Sequence, residues 1–435
     1  MSSKKTPYTR EVLANNLVVL TYPLKGSQAV GLNLRLHAGH FYEEEHGVAH
    51  VTEHFLFLGT KSYPTEREMS VLFESMGAAH NASTGDREIE VWMHLPNKNL
   101  EKGLRLLSEL AFTSLIPASA VEKERSVVLQ EWERRHDDPY FKFYRRMREE
   151  RFIGPNHPYA RDESRRVLEN FSRDDVANFY RRFFQPQQMI LGVGGGVDPD
   201  EVIKVARKHF GSATAGDFIP EPVLPTDAYA NSKVVCHDEK FSQANLELSF
   251  PAFGWREKSR KVRLAAHMGI RILGGSIVSR LWHSLREEKG LVYNVSCGLY
   301  LLPWLGITEV STTCSVDKLS EVIRIVKDEI NLFMAKGPKP AELALEKEHR
   351  LGRLATGFEG SLGTARYFVN EEFDQEGILL PEDRIKMIEG VTKKDVDEAI
   401  KPLFNWSCVQ VGLMNDFLQI SKGNFEELAG KVLGI

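Results

Sequence analysis

The sequence has little that would take it to a membrane or to nucleic acid. No apolar run approaches the roughly 20 residues that cross a bilayer as a helix. The start, Met-Ser-Ser-Lys-Lys-Thr-Pro-Tyr-Thr-Arg, runs straight into a strand pattern and has no apolar signal core. Positive charge is not in excess: 56 Lys and Arg against 60 Asp and Glu leave a formal net charge of −4. Nothing in that balance suggests a nucleic-acid binder. Cysteine is scarce. Cys236, Cys297, Cys314 and Cys408 form no C-x-x-C pair and all lie in the second half, so they read as reduced thiols. The expectation is a cytoplasmic protein with neither a nucleic-acid nor a membrane partner.

What is present is ordinary globular material, 42% apolar and 27% charged, in a chain of 435 residues that is long for one core. The chain also repeats itself. Ser27-Gln-Ala29 recurs as Ser242-Gln-Ala244, and the run from Ser172 to Phe184 parallels that from Thr392 to Phe404. Each copy of each pair leads into a strand pattern. The expected fold class is α+β, with two tandem homologous domains. They span 1–215 and 231–435, with a proline-stiffened linker over 216–230 that contains Phe218-Ile-Pro-Glu-Pro-Val-Leu-Pro225.

One stretch stands apart, Gly47-Val-Ala-His-Val-Thr-Glu-His-Phe-Leu-Phe-Leu-Gly59. Gly47 can start a helix there, Val48, Val51, Phe55 and Leu58 supply a buried surface, and Gly59 reads as its stop. Residues three and four apart share a helix face, so His50, Glu53 and His54 point the same way. Two imidazoles one turn apart can bind a single metal ion, and a carboxylate beside them can act on a water. Burying this trio without a ligand would be costly.

The surrounding pattern places this helix. Residues 11–22 read as two strands about an Asn15-Asn16 turn, and Val30, Leu32, Leu34 and Leu36 as a half-buried strand. Thr65-x-x-Glu68 is a capping box whose helix runs to Met76 and stops at Gly77. Asn81 to Gly85 is a polar strand or turn, and Ile89 to Leu95 alternates as another strand. A helix follows through Leu100, Leu104 and Leu107. Pro117 opens a long helix to about His136, which Asp137-Asp-Pro139 breaks. Another helix then runs to about Phe152. Gly192-Val-Gly-Gly-Gly196 follows a strand but has no βαβ context, so it reads as a turn and not as a dinucleotide site. Phe141-Lys-Phe-Tyr144 reads as core packing.

Two histidines leave a zinc site incomplete. On the helix after Pro117, Val121, Glu124, Val128, Glu131 and Arg135 share one stripe. Glutamates among valines are out of place on a plain core-facing helix, whereas Glu122 and Glu133 fall off the stripe and read as solvated. The alternative is an amphipathic helix with an acidic edge.

With these residues in hand the chain resembles the pitrilysin, insulysin and mitochondrial processing peptidase family of zinc peptidases, whose motif is an inverted zincin motif. The resemblance rests on His50-x-x-Glu53-His54, on Glu131 at 77 positions past His54 and on Glu124 seven residues before it. It extends to Gly59-Thr60, to Asn81-Ala82 with Thr84, and to Leu285-Arg-Glu-Glu-Lys-Gly-Leu-Val-Tyr293. It spans essentially the whole chain and implies a processing-peptidase-like half-shell of two domains, each a mainly antiparallel sheet packed with helices.

The resemblance implies a zinc metalloendopeptidase with one Zn²⁺ per chain, held by His50, His54 and Glu131. Glu53 is then the general base, and Glu124 the acceptor that orients a ligand histidine. Arg286 and Tyr293 assist the developing charge on the substrate carbonyl. Asn81, Ala82, Ser83 and Thr84 pair with an extended peptide by strand addition. Read without the family, Asn81 caps a turn, Arg286 is an exposed helix-end cation and Tyr293 is a strand residue near the core. In the family, two half-units enclose a chamber, and the arginine and tyrosine of one reach the zinc of the other. Unfolded peptide substrates and a homodimer with active sites completed in trans are therefore expected. The alternative is a non-catalytic scaffold or partner subunit of the same fold.

Overall fold

A computed structural model describes residues 8–152, 157, 160–223 and 232–434. The first half runs β1 (Thr9–Val12), β2 (Val18–Pro23), β3 (Ala29–His37), α1 (Val48–Leu56), α2 (Glu66–Met76), β4 (Ala79–Thr84), β5 (Glu88–Pro96), α3 (Leu100–Phe112), α4 (Val121–Asp137), α5 (Pro139–Arg151), α6 (Arg165–Asn170), α7 (Arg173–Phe183), β6 (Met189–Gly195) and α8 (Pro199–Phe210). The second half runs β7 (Lys233–Asp238), β8 (Ala244–Phe253), α9 (Arg260–Gly274), α10 (Arg280–Trp282, continuing as a π-helical turn over His283–Glu288), β9 (Val292–Leu301), β10 (Leu305–Cys314), α11 (Leu319–Lys336), α12 (Pro340–Gly357), α13 (Ser361–Phe373), α14 (Pro381–Glu389), α15 (Lys393–Ile400), β11 (Gln410–Asn415) and α16 (Lys422–Leu433). Among the described residues no helix is long and apolar enough to cross a membrane.

Local chemistry explains most boundaries. Asn16 takes φ 68° in the turn between β1 and β2. Thr65 and Glu68 form a reciprocal capping box at the start of α2, and Gly77 closes that helix in the left-handed region. Ser172 and Thr392 cap α7 and α15 in the same way, each with an aspartate three residues on. Helix α1 ends at Leu56, short of the expected stop. Gly59, at φ 147°, instead serves the close approach of the following loop at Pro64.

The two halves carry the same sheet. In the first the strand order is β1-β2-β6-β3-β5-β4, and in the second β7-β11-β8-β10-β9. Without β1 the orders superimpose, with one parallel pair in each: β2 with β6 and β7 with β11. All other pairings are antiparallel.

The compact units are not contiguous in sequence. Unit 1 is Met1–Arg135, Asp162–Pro222 and Arg353–Leu380, and unit 2 is His136–Arg161, Val223–Gly352 and Pro381–Ile435. They differ from the contiguous 1–215 and 231–435 division by an exchange of helices: α5 belongs to unit 2 and α13 to unit 1. Part of the expected linker, 224–230, lies outside the described residues, as does residue 231.

The reason for the exchange lies on the sheets. In unit 1, Leu32, Leu34, Val91 and Val193 face a core closed by α3 and α8. The opposite sheet face is lined with Gly31, Asn33, Gly192 and Gly194, and α13 lies on it. A Cβ at Gly192 would sit 2.4 Å from Val369 Cγ2, and one at Gly194 2.5 Å from the Ser361 carbonyl oxygen. Gly192 and Gly194 are therefore strand residues, not a turn. They lack side chains so that a helix can lie close on the sheet. For the same reason β3 is buried on both faces, where alternation suggested one. Arg366 of α13 pairs with Glu90 of β5 at 2.7 Å, and Asn33 also hydrogen-bonds Glu90.

Unit 2 repeats the device. Helix α5 lies on β11 and β7, where a Cβ at Gly412 would meet Met147 Sδ at 2.5 Å. Phe143 and Met147 pack with Val235 and Met414, so Phe143 is core, as the aromatic run suggested. Arg151 pairs with Glu309 of β10 at 3.1 Å, as Arg366 does with Glu90.

Candidate metal centre

Helix α1 is wedged by two apolar faces. Ala49 and Leu56 join the sheet core, while Val51 and Phe55 join a second cluster with Val128 of α4, Leu168 of α6, and Phe171 and Val176 near and on α7. Gly47 has no side chain to cap the helix. Glu43 reaches in from upstream and accepts from the backbone N–H of Ala49 at 3.0 Å and of Gly47 at 3.3 Å. The third face of α1 carries His50, Glu53 and His54.

Val128 explains the stripe on α4. It is fully buried against α1 and lies between Glu124 and Glu131 in the sequence of that face. Packing Val128 therefore carries both glutamates to the histidines. Glu122 and Glu133 point away and are exposed.

The donor atoms form a triangle. The Nε2 atoms of His50 and His54 are 3.2 Å apart, and Glu131 Oε2 lies 3.6 Å from the first and 3.5 Å from the second. Among the described residues this is the one group of three His, Cys, Asp or Glu side chains arranged to hold a metal ion. Nitrogen and carboxylate donors at zinc distances of 2.0–2.2 Å, on three corners of a tetrahedron, stand about 3.3–3.6 Å apart. The three edges match that value, so the residues present fit a zinc ion.

Both outer ring nitrogens face carboxylates. His54 Nδ1 is 3.3 Å from Glu124 Oε2, and His50 Nδ1 is 2.7 Å from Glu163 Oε1. Burial by itself lowers the pKa of each imidazole. Glu163 for His50 and Glu124 for His54, with Glu53 beside both, reverse this and raise both values. The hydrogen bond to His54 holds the Glu124 carboxyl low, against burial. Burial would push Glu163 up, but His50, Arg135 and His40 hold it at about 2. The cluster thus favours positive charge at the two imidazoles.

Sequence reasoning missed Glu163. It precedes a short capped helix, α6, and no periodicity marks it as buried. Glu53 meets another partner: its Oε2 accepts from Thr84 Oγ1 at 2.6 Å. Thr84 ends β4, the edge strand of its sheet, where Asn81 and Ser83 are exposed and Ala82 is buried. The Asn81 side chain accepts from the N–H of Ala82 at 2.9 Å.

Arg286 and Tyr293 belong to unit 2. The Arg286 guanidinium sits 4.4 Å from the Trp282 ring centre and 4.7 Å from that of Tyr293, and donates to the Tyr293 carbonyl. Tyr293 is 78% exposed at the start of edge strand β9, so it is not the near-core residue that the strand pattern alone suggested.

Comparison with known proteins bears on the family of the chain. Residues 18–152 match the family described as Insulinase (Peptidase family M16), and residues 170–349 the Peptidase M16 inactive domain. The chain belongs to this peptidase family. The first match holds the whole donor triangle, and the second covers sequence with no His-x-x-Glu-His. The family resemblance read from the motif is thereby established. The chain is 27% identical over 416 residues to an uncharacterized zinc protease of Rickettsia bellii, covering 91% of this chain and 94% of that one. It is 25% identical over 260 residues to the mitochondrial-processing peptidase subunit beta of Bos taurus, covering 57% and 51%. The fold resembles the first half of the periplasmic protease PqqL from Escherichia coli, with TM-score 0.82, 20% identity, and 99% and 97% of the two chains covered. Against full-length PqqL, 99% of this chain covers 50% of that one.

Proposed function

We propose that the chain is a zinc-dependent endopeptidase of unfolded peptides. The observation that carries this reading is the triangle of His50 Nε2, His54 Nε2 and Glu131 Oε2, with edges of 3.2–3.6 Å. These three residues would hold one Zn²⁺ per chain, which when bound supplies Lewis-acid polarisation of a peptide carbonyl and acidifies water. Glu53 takes a proton from the attacking water and returns it to the leaving amine. Thr84 holds Glu53 by its hydrogen bond, and Glu124 fixes the ring of His54. An extended substrate adds to the free edge of β4 along Asn81–Thr84.

The exposed Arg286 and Tyr293 donate to the carbonyl oxygen as it gains charge. They are supplied in trans by a second copy of the chain. The twofold length of PqqL relative to this chain supports the pairing of two such half-units. Four free cysteines, three of them buried, suit a cytoplasmic setting. A scaffold subunit of the same fold would have no use for a complete donor set, and that set weighs against the scaffold reading.

The test separates the roles. Glu53→Gln should keep zinc and lose about 10²–10⁴-fold in turnover of a quenched peptide. Glu131→Gln should lose zinc as well, and a chelator should silence the parent. Mixing Glu53→Gln and Tyr293→Phe chains should restore part of the activity. Equal zinc and equal turnover in both glutamate variants would refute the assignment.

A further inference from the structure

Glu163 lies in residues 153–169, the stretch between the two family matches, yet it is among the most constrained side chains of the centre. Its side chain is 5% exposed. One oxygen, Oε1, is 2.7 Å from His50 Nδ1, and the other accepts from Arg135 Nη2 at 2.7 Å. Its carbonyl accepts from Trp132 Nε1 at 3.0 Å, and the N–H of the next residue, Ser164, donates to the His46 carbonyl at 2.9 Å. Arg135 also reaches Asp162 at 3.1 Å.

Two of these groups, Trp132 and Arg135, sit on α4 within a turn of Glu131. The helix that brings the carboxylate donor therefore also aims the acid behind His50. The Nδ1 atom of His50 is enclosed by protein, and Glu163 Oε1 lies 2.7 Å from it, off the line that a straight hydrogen bond from the ring would take. We propose that Glu163 is a positioning residue, which holds His50 with its proton on Nδ1 and its Nε2 lone pair directed at the metal position. Glu163 does not address the ion itself, since its oxygens meet Nδ1 and Arg135.

The consequence is a centre in which each histidine has its own carboxylate: Glu124 for His54 at 3.3 Å and Glu163 for His50 at 2.7 Å. The shorter contact is at His50. By the usual effect of such partners, removing Glu163 weakens metal binding about 10- to 100-fold. Arg135 keeps the second oxygen occupied, which stops the carboxylate from swinging toward the ion.

This inference rests on the zinc reading, and the experiment distinguishes the two. Zinc affinity is measured by competition with a chelator of known strength for the parent, Glu163→Ala, Glu163→Gln and Glu124→Ala. The visible spectrum of each Co²⁺-substituted protein is recorded, with circular dichroism of the metal-free forms as the control. Glu163→Ala should bind zinc about 10- to 100-fold more weakly and shift the cobalt bands. Glu163→Gln, which keeps an oxygen acceptor but no charge, should recover part of the loss. If the alanine variant does not fold, the isosteric glutamine variant decides. Weakened zinc with unchanged circular dichroism upholds the role, and parental affinity with a parental cobalt spectrum overturns it. A parent that binds no zinc overturns this inference and the metal reading together. A parent that binds zinc beside an equally tight Glu163→Ala overturns this inference alone.

Discussion

Replacing Gly194 with alanine should loosen unit 1 far more than one methyl group suggests. The added Cβ would lie 2.5 Å from the Ser361 carbonyl oxygen and 2.9 Å from the Ala365 nitrogen. Ordinary carbon contacts are about 3.5–4.0 Å, so the clash approaches 1 Å. The atoms it meets are backbone of α13 and cannot rotate away, so the helix must lift from the sheet. Phe368, Val369 and Phe373, now fully enclosed, lift with it. Overpacking of this kind costs about 1–3 kcal/mol. Gly192→Ala meets the Val369 side chain at 2.4 Å and the Ala365 carbonyl oxygen at 2.9 Å, and should fall in the same range. Gly352→Ala is the control. It lies within α12, a Cβ added there would meet nothing within 4 Å, and exchanging glycine for alanine should stabilise by about 0.5–1 kcal/mol. Urea unfolding followed by far-UV circular dichroism, with protease protection of α13 in parallel, reads all three. If Gly192→Ala and Gly194→Ala unfold at the parental urea concentration, α13 does not lie on this sheet, and the exchange of helices is wrong.

Two further outcomes test the centre and the second sheet. Thr84→Val removes the hydrogen bond to Glu53 without changing side-chain size. A hydrogen bond to a charged group contributes about 1.5–3 kcal/mol, so turnover should fall about 10- to 100-fold with zinc content unchanged; parental turnover would leave Thr84 no part in holding the base. In unit 2, burial and then the nearby Glu309 push the Glu247 carboxyl up to about 8, against the pull of Arg151 at 3.7 Å. Unfolded, it titrates near the ordinary value of about 4.3. Between these values the folded protein keeps a proton that the unfolded chain has released. Its contribution is therefore complete below about pH 4 and is lost as pH rises through about 8. Glu247→Gln, shaped like the protonated acid, should flatten the decline. Thermal midpoints from roughly pH 5 to pH 9 that fall equally in parent and variant would show that Glu247 is not its source.

Much of the centre was legible because helical spacing is local. His50, Glu53 and His54 had to share a face once α1 formed, and Glu124, Val128 and Glu131 had to share one on α4. That the two faces meet came from outside the residues' own pattern, through the family spacing. The physical cause is the burial of Val51, Phe55 and Val128 in one cluster. Glu163 had no comparable signal. It belongs to an irregular segment, and its burial depends on Trp132, Arg135 and His46, none of them its sequence neighbours.

By itself the sequence determined the repeated unit, the capped helices and the faces that carry the donors, because these follow from backbone spacing and side-chain chemistry within a few residues. The tertiary structure decided which helix covers which sheet. Glycines in β6 read as a turn because the sequence does not record that a helix from the other half of the chain needs their space. It also decided the second acid behind the histidines, since holding an ionised carboxylate in a closed site takes partners that only folding brings within hydrogen-bonding distance.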